Sequence, residues 1–411
     1  MKPSTLVFIA LLNSILGLSL LFPILGPLGR ELHLTEVQTG CLSTAYSLLQ
    51  FVASPMWGSK SEKVGRKPIL LRGIFGYAVT FSLFSALAQL GRSGVLHGPW
   101  LFFGLVAARV VGGFYSSATL PVAQAYIADI TARERRTQGM ALVGSAFGLG
   151  IVLGPAISAV LVPFGLMLPL YASAAIALLN GIFVVLFLPE PARSAATSKS
   201  IGLAVVAREL RALLLVGFAI TVASVALEQT LAFYVQDELA LSSTSTVRLV
   251  GKSLAVCGLA AVLVQGGLVR RVRLPPLSLL RIGVPLGILA LLALLVGHAE
   301  HWFLTAMMLH GLGQGFTMPG LTSALSLRAG DGDQGAAAGL NSSSQALARA
   351  LGPLIGTGLY ELLPQLTYIV SAGILTAVAG VLFWGREKVV AAAVRAEPPS
   401  FEGAATRESP S

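Results

Sequence analysis

Charge is what this sequence has least of. Only 11% of its 411 residues are charged and 55% are hydrophobic, whereas a soluble domain carries about 25% charged residues. A soluble fold would have cores with almost no surface to cover them. Cysteine is scarce too: Cys41 and Cys257 stand far apart in or beside apolar runs, which excludes a disulfide framework and leaves packing as their role. No GxxxxGK[ST] loop occurs, and GSKSEK at 58–63 does not substitute for one, so ATP coupling by this chain is excluded. His298 and His301 flank a loop without a spaced set of partners, so neither a metal site nor a cofactor is expected. The absence of an arguable serine, histidine and acid arrangement speaks against an enzyme. The net charge of +10 forms no aromatic-interleaved patch, which excludes a nucleic-acid partner. No small-residue cleavage site follows the first apolar run, which is expected to be retained as a helix.

What the chain has is a series of long apolar stretches. They fall at 4–27, 37–57, 69–91, 99–126, 137–161, 166–188, 211–236, 247–269, 277–297, 301–325, 335–358 and 364–385. Each holds the ~20 residues that carry a helix across ~30 Å of hydrocarbon, where every backbone polar group must be satisfied internally. The fold class is therefore an all-α polytopic membrane protein of 12 transmembrane helices, with the lipid bilayer as its solvent. Most of the 28 basic residues sit in alternate gaps: Lys60, Lys63, Arg66, Lys67 and Arg72 after the second stretch, Arg133, Arg135 and Arg136 after the fourth, and Arg270, Arg271 and Arg273 after the eighth. The positive-inside bias then predicts that these gaps and both termini are cytoplasmic. The other gaps carry Glu31, Glu36, Asp237, Glu238, Glu300 and Glu361.

The chain divides near its midpoint. Residues 189–210 contain two prolines, small polar residues and scattered charge, the composition of a linker, and 386–411 read as a disordered tail. The expected units are 1–188 and 211–385, each with six crossings. Gly113, Pro121, Gly154 and Pro155 recur 198 positions later as Gly311, Pro319, Gly352 and Pro353, the mark of a duplicated bundle of the kind that frames a central transport cavity.

Between the second and third stretches runs GSKSEKVGRKP, from Gly58 to Pro68. Gly58, Glu62, Lys63, Gly65, Arg66 and Lys67 take the places of the signature loop of the major facilitator superfamily, which this chain resembles over about 4–385. Glutamate stands at 62 where the family has aspartate. Glu62 is expected to meet basic residues or a helix N-terminus, and Asp129, in YIADITARERR, is expected to engage the loop. GSAFGLGIVLGPAISA resembles the antiporter signature of the drug/proton antiporter branch through Gly144, Gly148, Gly150, Gly154 and Pro155. LVAARVVGG resembles the family's fourth-helix pattern through Arg109 and Gly113, and LLNSILGLSLLFPILGP resembles the first helix of tetracycline exporters, with Asn13 in place of an aspartate. The resemblance implies a major facilitator fold of two six-helix bundles, working as a monomer in a bacterial inner membrane. Its cargo would be a small-molecule substrate moved together with, or against, protons.

Charged residues inside apolar stretches mark the candidate site, because each costs at least ~2.5 kcal/mol at that depth unless it is paired or meets water. Glu228 is the one acid placed deep in a stretch. Burial opposes its charged form and a nearby arginine favours it, an opposition that suits a group taking up a proton in one conformation and losing it in another. A static ion pair, or a position near the outer mouth, is the other reading. Arg109 is expected either to stabilise that acid or to pair with Asn13 and helix carbonyls. Arg349 serves pairing or substrate contact equally well. His310 and Gln314 share a helix face by their i,i+4 spacing, and His310 is either part of proton traffic or a ring hydrogen-bonded between helices. Gln229 completes the set. Apolar walls with few charges favour a hydrophobic or amphipathic substrate, moved outward by proton-coupled alternating access. Uptake by symport or uniport, and a non-transporting receptor or scaffold, are the alternatives.

Overall fold

The computed structural model describes residues 2–131, 136–191, 203–271 and 274–384. Arg133, Arg135, Arg273, residues 192–202 of the 189–210 linker and the 386–411 tail lie outside the described residues. Among the described residues all regular structure is helical. The first crossing is α1 (Pro3–Ser19), which opens on proline where a missing N–H is no loss; after turns around Pro23 it resumes as α2 (Leu25–Glu31). α3 (Glu36–Val64) starts on a reciprocal cap: Gln38 N–H donates to Thr35 Oγ1 at 3.2 Å, and Thr35 N–H donates to Gln38 Oε1 at 3.0 Å. α4 is Arg66–Arg92, and the fourth crossing is divided into α5 (Gly98–Ser116) and α6 (Thr119–Ile130). α7 (Arg136–Leu161) runs through Pro155 without interruption, and α8 (Leu168–Phe187) completes the first bundle.

The second bundle begins with α9 (Leu203–Glu238). α10 (Ser243–Leu263) continues through a π-helical turn at 264–268 into α11 (Val269–Arg271). α12 (Pro276–Val296), α13 (Glu300–Leu362) and α14 (Leu366–Trp384) follow. α13 is helical over 63 residues, about 95 Å if straight, where two separate helices were expected. It doubles back instead. Its first part runs against α9 in reverse, with Gln314 bonded to Ser224 and Leu321 against Gly217; its second part runs forward, with Ser344 bonded to the Leu214 carbonyl and Gly352 against Val225. The tenth and eleventh crossings are therefore antiparallel, and twelve crossings stand. Among the described residues, eight helical stretches reach the length and hydropathy of a bilayer span on their own. α3 and α13 are not among them, and these two pack on each other across the bundles.

The core is duplicated. One apolar cluster draws its members from Leu210 to Leu382, while two others draw theirs from Leu6 to Leu188, with Val247 the sole residue from the other half. The residues spaced by 198 take equivalent positions in each. A side chain at Gly113 would collide with the Tyr46 backbone in the second crossing, and one at Gly311 with the Cys257 backbone in the eighth. Gly154 likewise faces Ser19 of the first crossing, as Gly352 faces Val225 of the seventh. Backbone-to-backbone approach at these four points is what glycine supplies in a lipid-embedded bundle, where tight packing replaces the hydrophobic drive between helices.

Candidate functional site

The two bundles meet tightly at one end and part at the other. Away from the loop at 58–68, Arg30 at the end of α2 reaches into the second bundle: its Nη2 donates to Asp237 Oδ2 at 2.7 Å and its Nη1 to Asp237 Oδ1. Glu36 accepts a further bond from Arg30 at 3.0 Å, Tyr360 Oη donates to Asp237 Oδ2 at 2.5 Å, and the guanidinium lies 5.1 Å from the centre of the Phe233 ring. Burial of Arg30 opposes its charge, but the hydrogen bonds to Asp237 and Glu36 outweigh that and raise its pKa above the ordinary arginine value. Beneath this network Gly40 of α3 abuts Pro353 and Thr357, and Gly251 of α10 abuts Pro155 and Ala159 of α7.

Toward the signature-loop face the same helices separate. One stripe of α7 carries Gly144, Gly148, Val152, Pro155 and Ala159 at helical spacing. The last three touch α10, at Gly258 and Gly251, whereas Gly144 and Gly148 meet nothing, and neither do Gly266 and Gly267 beyond α10. Gly150 and Gly154 occupy a different face, against Ile15 and Ser19 of α1. The antiporter-like glycines thus split between an intra-bundle seam and an open cleft.

At membrane depth in the second bundle, Glu228 of α9 projects from the helix with 41% of its side chain exposed. Burial was expected to oppose its charge; the described residues cover its side chain only in part. Its Oε1 lies 3.6 Å from Nε2 of His310, whose side chain is only 5% exposed. That Nε2 is buried and has no hydrogen-bond partner. Arg349 is exposed, donates from Nη2 to Gln345 Oε1 at 3.4 Å, and feels the charge of Glu228. Gln345 is held in turn by Asn341 at 3.2 Å. Gln314, on the His310 face, donates to Ser224 Oγ at 2.8 Å and so ties α13 to α9 beside the acid. Cys257 of α10 also lies within electrostatic reach of Glu228. Gln229 is half-buried and takes no recorded part in these bonds.

Arg109 does not join this group: of its expected partners it has a helix carbonyl, and neither Glu228 nor Asn13. Its Nε donates to the Leu42 carbonyl at 3.3 Å, and its guanidinium sits 4.1 Å from the centre of the Tyr46 ring and 5.8 Å from that of Phe84. A ring face and a carbonyl offset the charge where no carboxylate is near. Asn13 is half-buried on α1 and forms no recorded bond with Arg109; the amide that binds α1 is Asn180, which donates to the Ala10 carbonyl at 2.8 Å and to Ser14 Oγ at 2.9 Å.

The loop at 58–68 is a corner between two helices, with Gly65 at φ +118°, a conformation that glycine adopts without strain. Arg66 Nε donates to Asp129 Oδ2 at 2.8 Å, the engagement expected of Asp129, and Nη1 donates to Ser61 Oγ at 2.6 Å. Lys67 Nζ reaches the Val185 carbonyl at 2.9 Å. The acid at the helix N-terminus is not Glu62. α3 continues to Val64 and leaves Glu62 on its exposed side, while Glu190, at the exit of α8, accepts from the Arg66 and Lys67 amides at 2.5 and 2.8 Å. Two orphan donors and the positive end of α4 are satisfied there. Glu190 is exposed, so Glu190→Ala is expected to cost about 1 kcal/mol in thermal unfolding, and Glu62→Ala to change stability by less than about 0.5 kcal/mol. Equal shifts for the two variants would refute this assignment. Sequence reasoning missed Glu190 and the Arg30–Asp237 bridge; the only signal for the latter was opposite charge in the outer segments of the two halves.

The family model described as Major Facilitator Superfamily matches residues 7–353 and, again, 299–407. Multidrug resistance protein 2 of Bacillus subtilis (strain 168) is 26% identical over 94% of this chain and 97% of its own length. Tetracycline resistance protein, class C, of Escherichia coli is 29% identical over 84% of this chain and 86% of its own. Among solved structures, the human organic anion transporter MFSD10 (TETRAN) superposes with a TM-score of 0.66 at 26% identity, covering 92% of this chain and 98% of that one. With twelve crossings in two bundles parted at one face, and matches that run nearly end to end, the chain belongs to the major facilitator superfamily and is a transporter rather than an enzyme.

Proposed function

We propose that this protein exports a hydrophobic or amphipathic small molecule by proton-coupled alternating access, with residues 1–188 and 211–385 as the moving units and 189–210 as their linker. The observation that carries the reading is Glu228: a partly exposed carboxylate within an apolar span, beside a buried histidine, in a chain whose bundles are closed at one face and parted at the other. Such a group binds a proton differently in each arrangement, and a few kcal/mol of difference is enough to drive the exchange. The basic gaps support a cytoplasmic signature-loop face in a bacterial inner membrane, with the chain working as a monomer. The tetracycline and multidrug resistance relatives support export.

One observation favours a second reading, inward symport of an amphipathic anion: Arg109 and Arg349 outnumber Glu228 at this depth. The two readings differ in the sign of linkage. If proton and substrate exclude one another, substrate binding at the open face strengthens as pH rises; if they bind together, it strengthens as pH falls. Proteoliposomes loaded with tetracycline, a lipophilic cationic dye or a carboxylated dye should show protonophore-sensitive movement of at least one of them. Movement of these probes that is indifferent to the protonophore would remove proton coupling altogether.

A further inference from the structure

We infer that His310 is the second proton-carrying group of this transporter: Glu228 takes the proton from water at the parted face and passes it to the buried imidazole. The inference rests on the proton-coupled reading above and adds to it a residue with a role of its own.

The two groups are matched in position and opposed in environment. Glu228 Oε1 and His310 Nε2 stand 3.6 Å apart, just outside hydrogen-bonding distance. The carboxylate is 41% exposed and the imidazole 5%, so the first is the accessible member of the pair and the second is covered by protein. A buried ring nitrogen without a partner is costly, and the described residues give it none. An approach of under about 1 Å closes the gap to the 2.7–2.9 Å of a charge-assisted bond. The transfer is then simple. The Glu228 O–H bond breaks as the His310 Nε2–H bond forms, leaving a carboxylate beside an imidazolium, with no change in total charge and no other reactant. Two neutral groups become a contact ion pair that binds α9 to the first arm of α13.

The charged and titratable groups near this pair come from two other elements: Arg349, from the second arm of α13, and Cys257 of α10 both lie within electrostatic reach of Glu228, and Gln314, one turn from His310, is already engaged with Ser224. Arg109 is held in the first bundle by Leu42 and Tyr46 and takes no part. The alternative role for His310, a ring hydrogen-bonded between helices, leaves its free Nε2 unexplained.

His310→Gln in the full chain, reconstituted in proteoliposomes, tests the inference. Gradient-driven transport should fall by about a hundredfold, the lower end of what losing a positioned proton acceptor costs, and its pH profile should flatten. Substrate-for-substrate exchange, which needs no net proton movement, should stay within about threefold of the unaltered protein. A purely structural histidine would lower both modes together, and that result, or an unchanged pH profile, would overturn the proposal. Infrared difference spectra of the unaltered protein, with isotope-labelled histidine, give a reading independent of folding: acidification should raise an imidazolium band while the Glu228 carboxylate band persists, and a rising carboxyl band without an imidazolium band would overturn the role of His310. If the unaltered protein ignores a protonophore, the reading of function fails, whereas coupled transport that survives in His310→Gln defeats this inference alone.

Discussion

Glu228→Gln is expected to reduce gradient-driven transport by about a hundredfold while leaving substrate exchange close to normal. Glutamine keeps the shape and most of the hydrogen bonding of a protonated glutamate but cannot release a proton. The variant is thus locked in one of the two forms between which the cycle must alternate. A charged residue at the centre of a span costs about 2.5–3.5 kcal/mol on insertion scales. Because Glu228 is 41% exposed here, this arrangement tolerates the charge, and an arrangement that closes over it must discharge it or pair it. Glu228→Asp should keep partial coupling, since the shorter arm widens the 3.6 Å gap to His310 without removing the acid. Export, exchange and protonophore sensitivity measured side by side decide the matter. Coupled export at the unaltered rate in Glu228→Gln would take this residue out of the mechanism.

Asp237→Asn should open the other face. Asp237 accepts two bonds from Arg30 and one from Tyr360, and these form the polar bridge between bundles at the closed end. Its side chain is 40% exposed, so solvent screens much of the Coulomb term, and about 1–2 kcal/mol is a fair expectation for the bridge as a unit. That moves the equilibrium between arrangements about five- to thirtyfold. Spin labels at the ends of α2 and α9 would report it as a new long-distance population in double electron–electron resonance. An unchanged distance distribution would show that apolar packing at Gly40 and Gly251, rather than the ion pair, keeps this end shut.

Much of the site was legible in residue types and little of it in partners. Glu228, His310 and Arg349 could be singled out because charge and imidazole are rare in apolar stretches. Their grouping could not, since 82 positions separate Glu228 from His310 and only the antiparallel course of α13 along α9 brings them together. Arg109 was visible for the same reason, yet its offset comes from the ring of Tyr46 and a main-chain carbonyl, neither of which leaves a mark in the sequence. At the signature loop the pairing of Arg66 with Asp129 followed the family pattern. Glu62 did not, because helix α3 runs on to Val64 and its phase turns that carboxylate to the exposed side, leaving the α4 N-terminus to Glu190.

Twelve crossings and their grouping into two related halves were determined by composition and spacing, because a bilayer penalises unsatisfied backbone and misplaced charge residue by residue. Which face is sealed, which acid caps α4 and which histidine stands beside Glu228 were decided by the folded chain. Those contacts depend on where helices from distant parts of the sequence cross, and a periodic apolar pattern constrains the face a residue takes far more than the neighbour it meets.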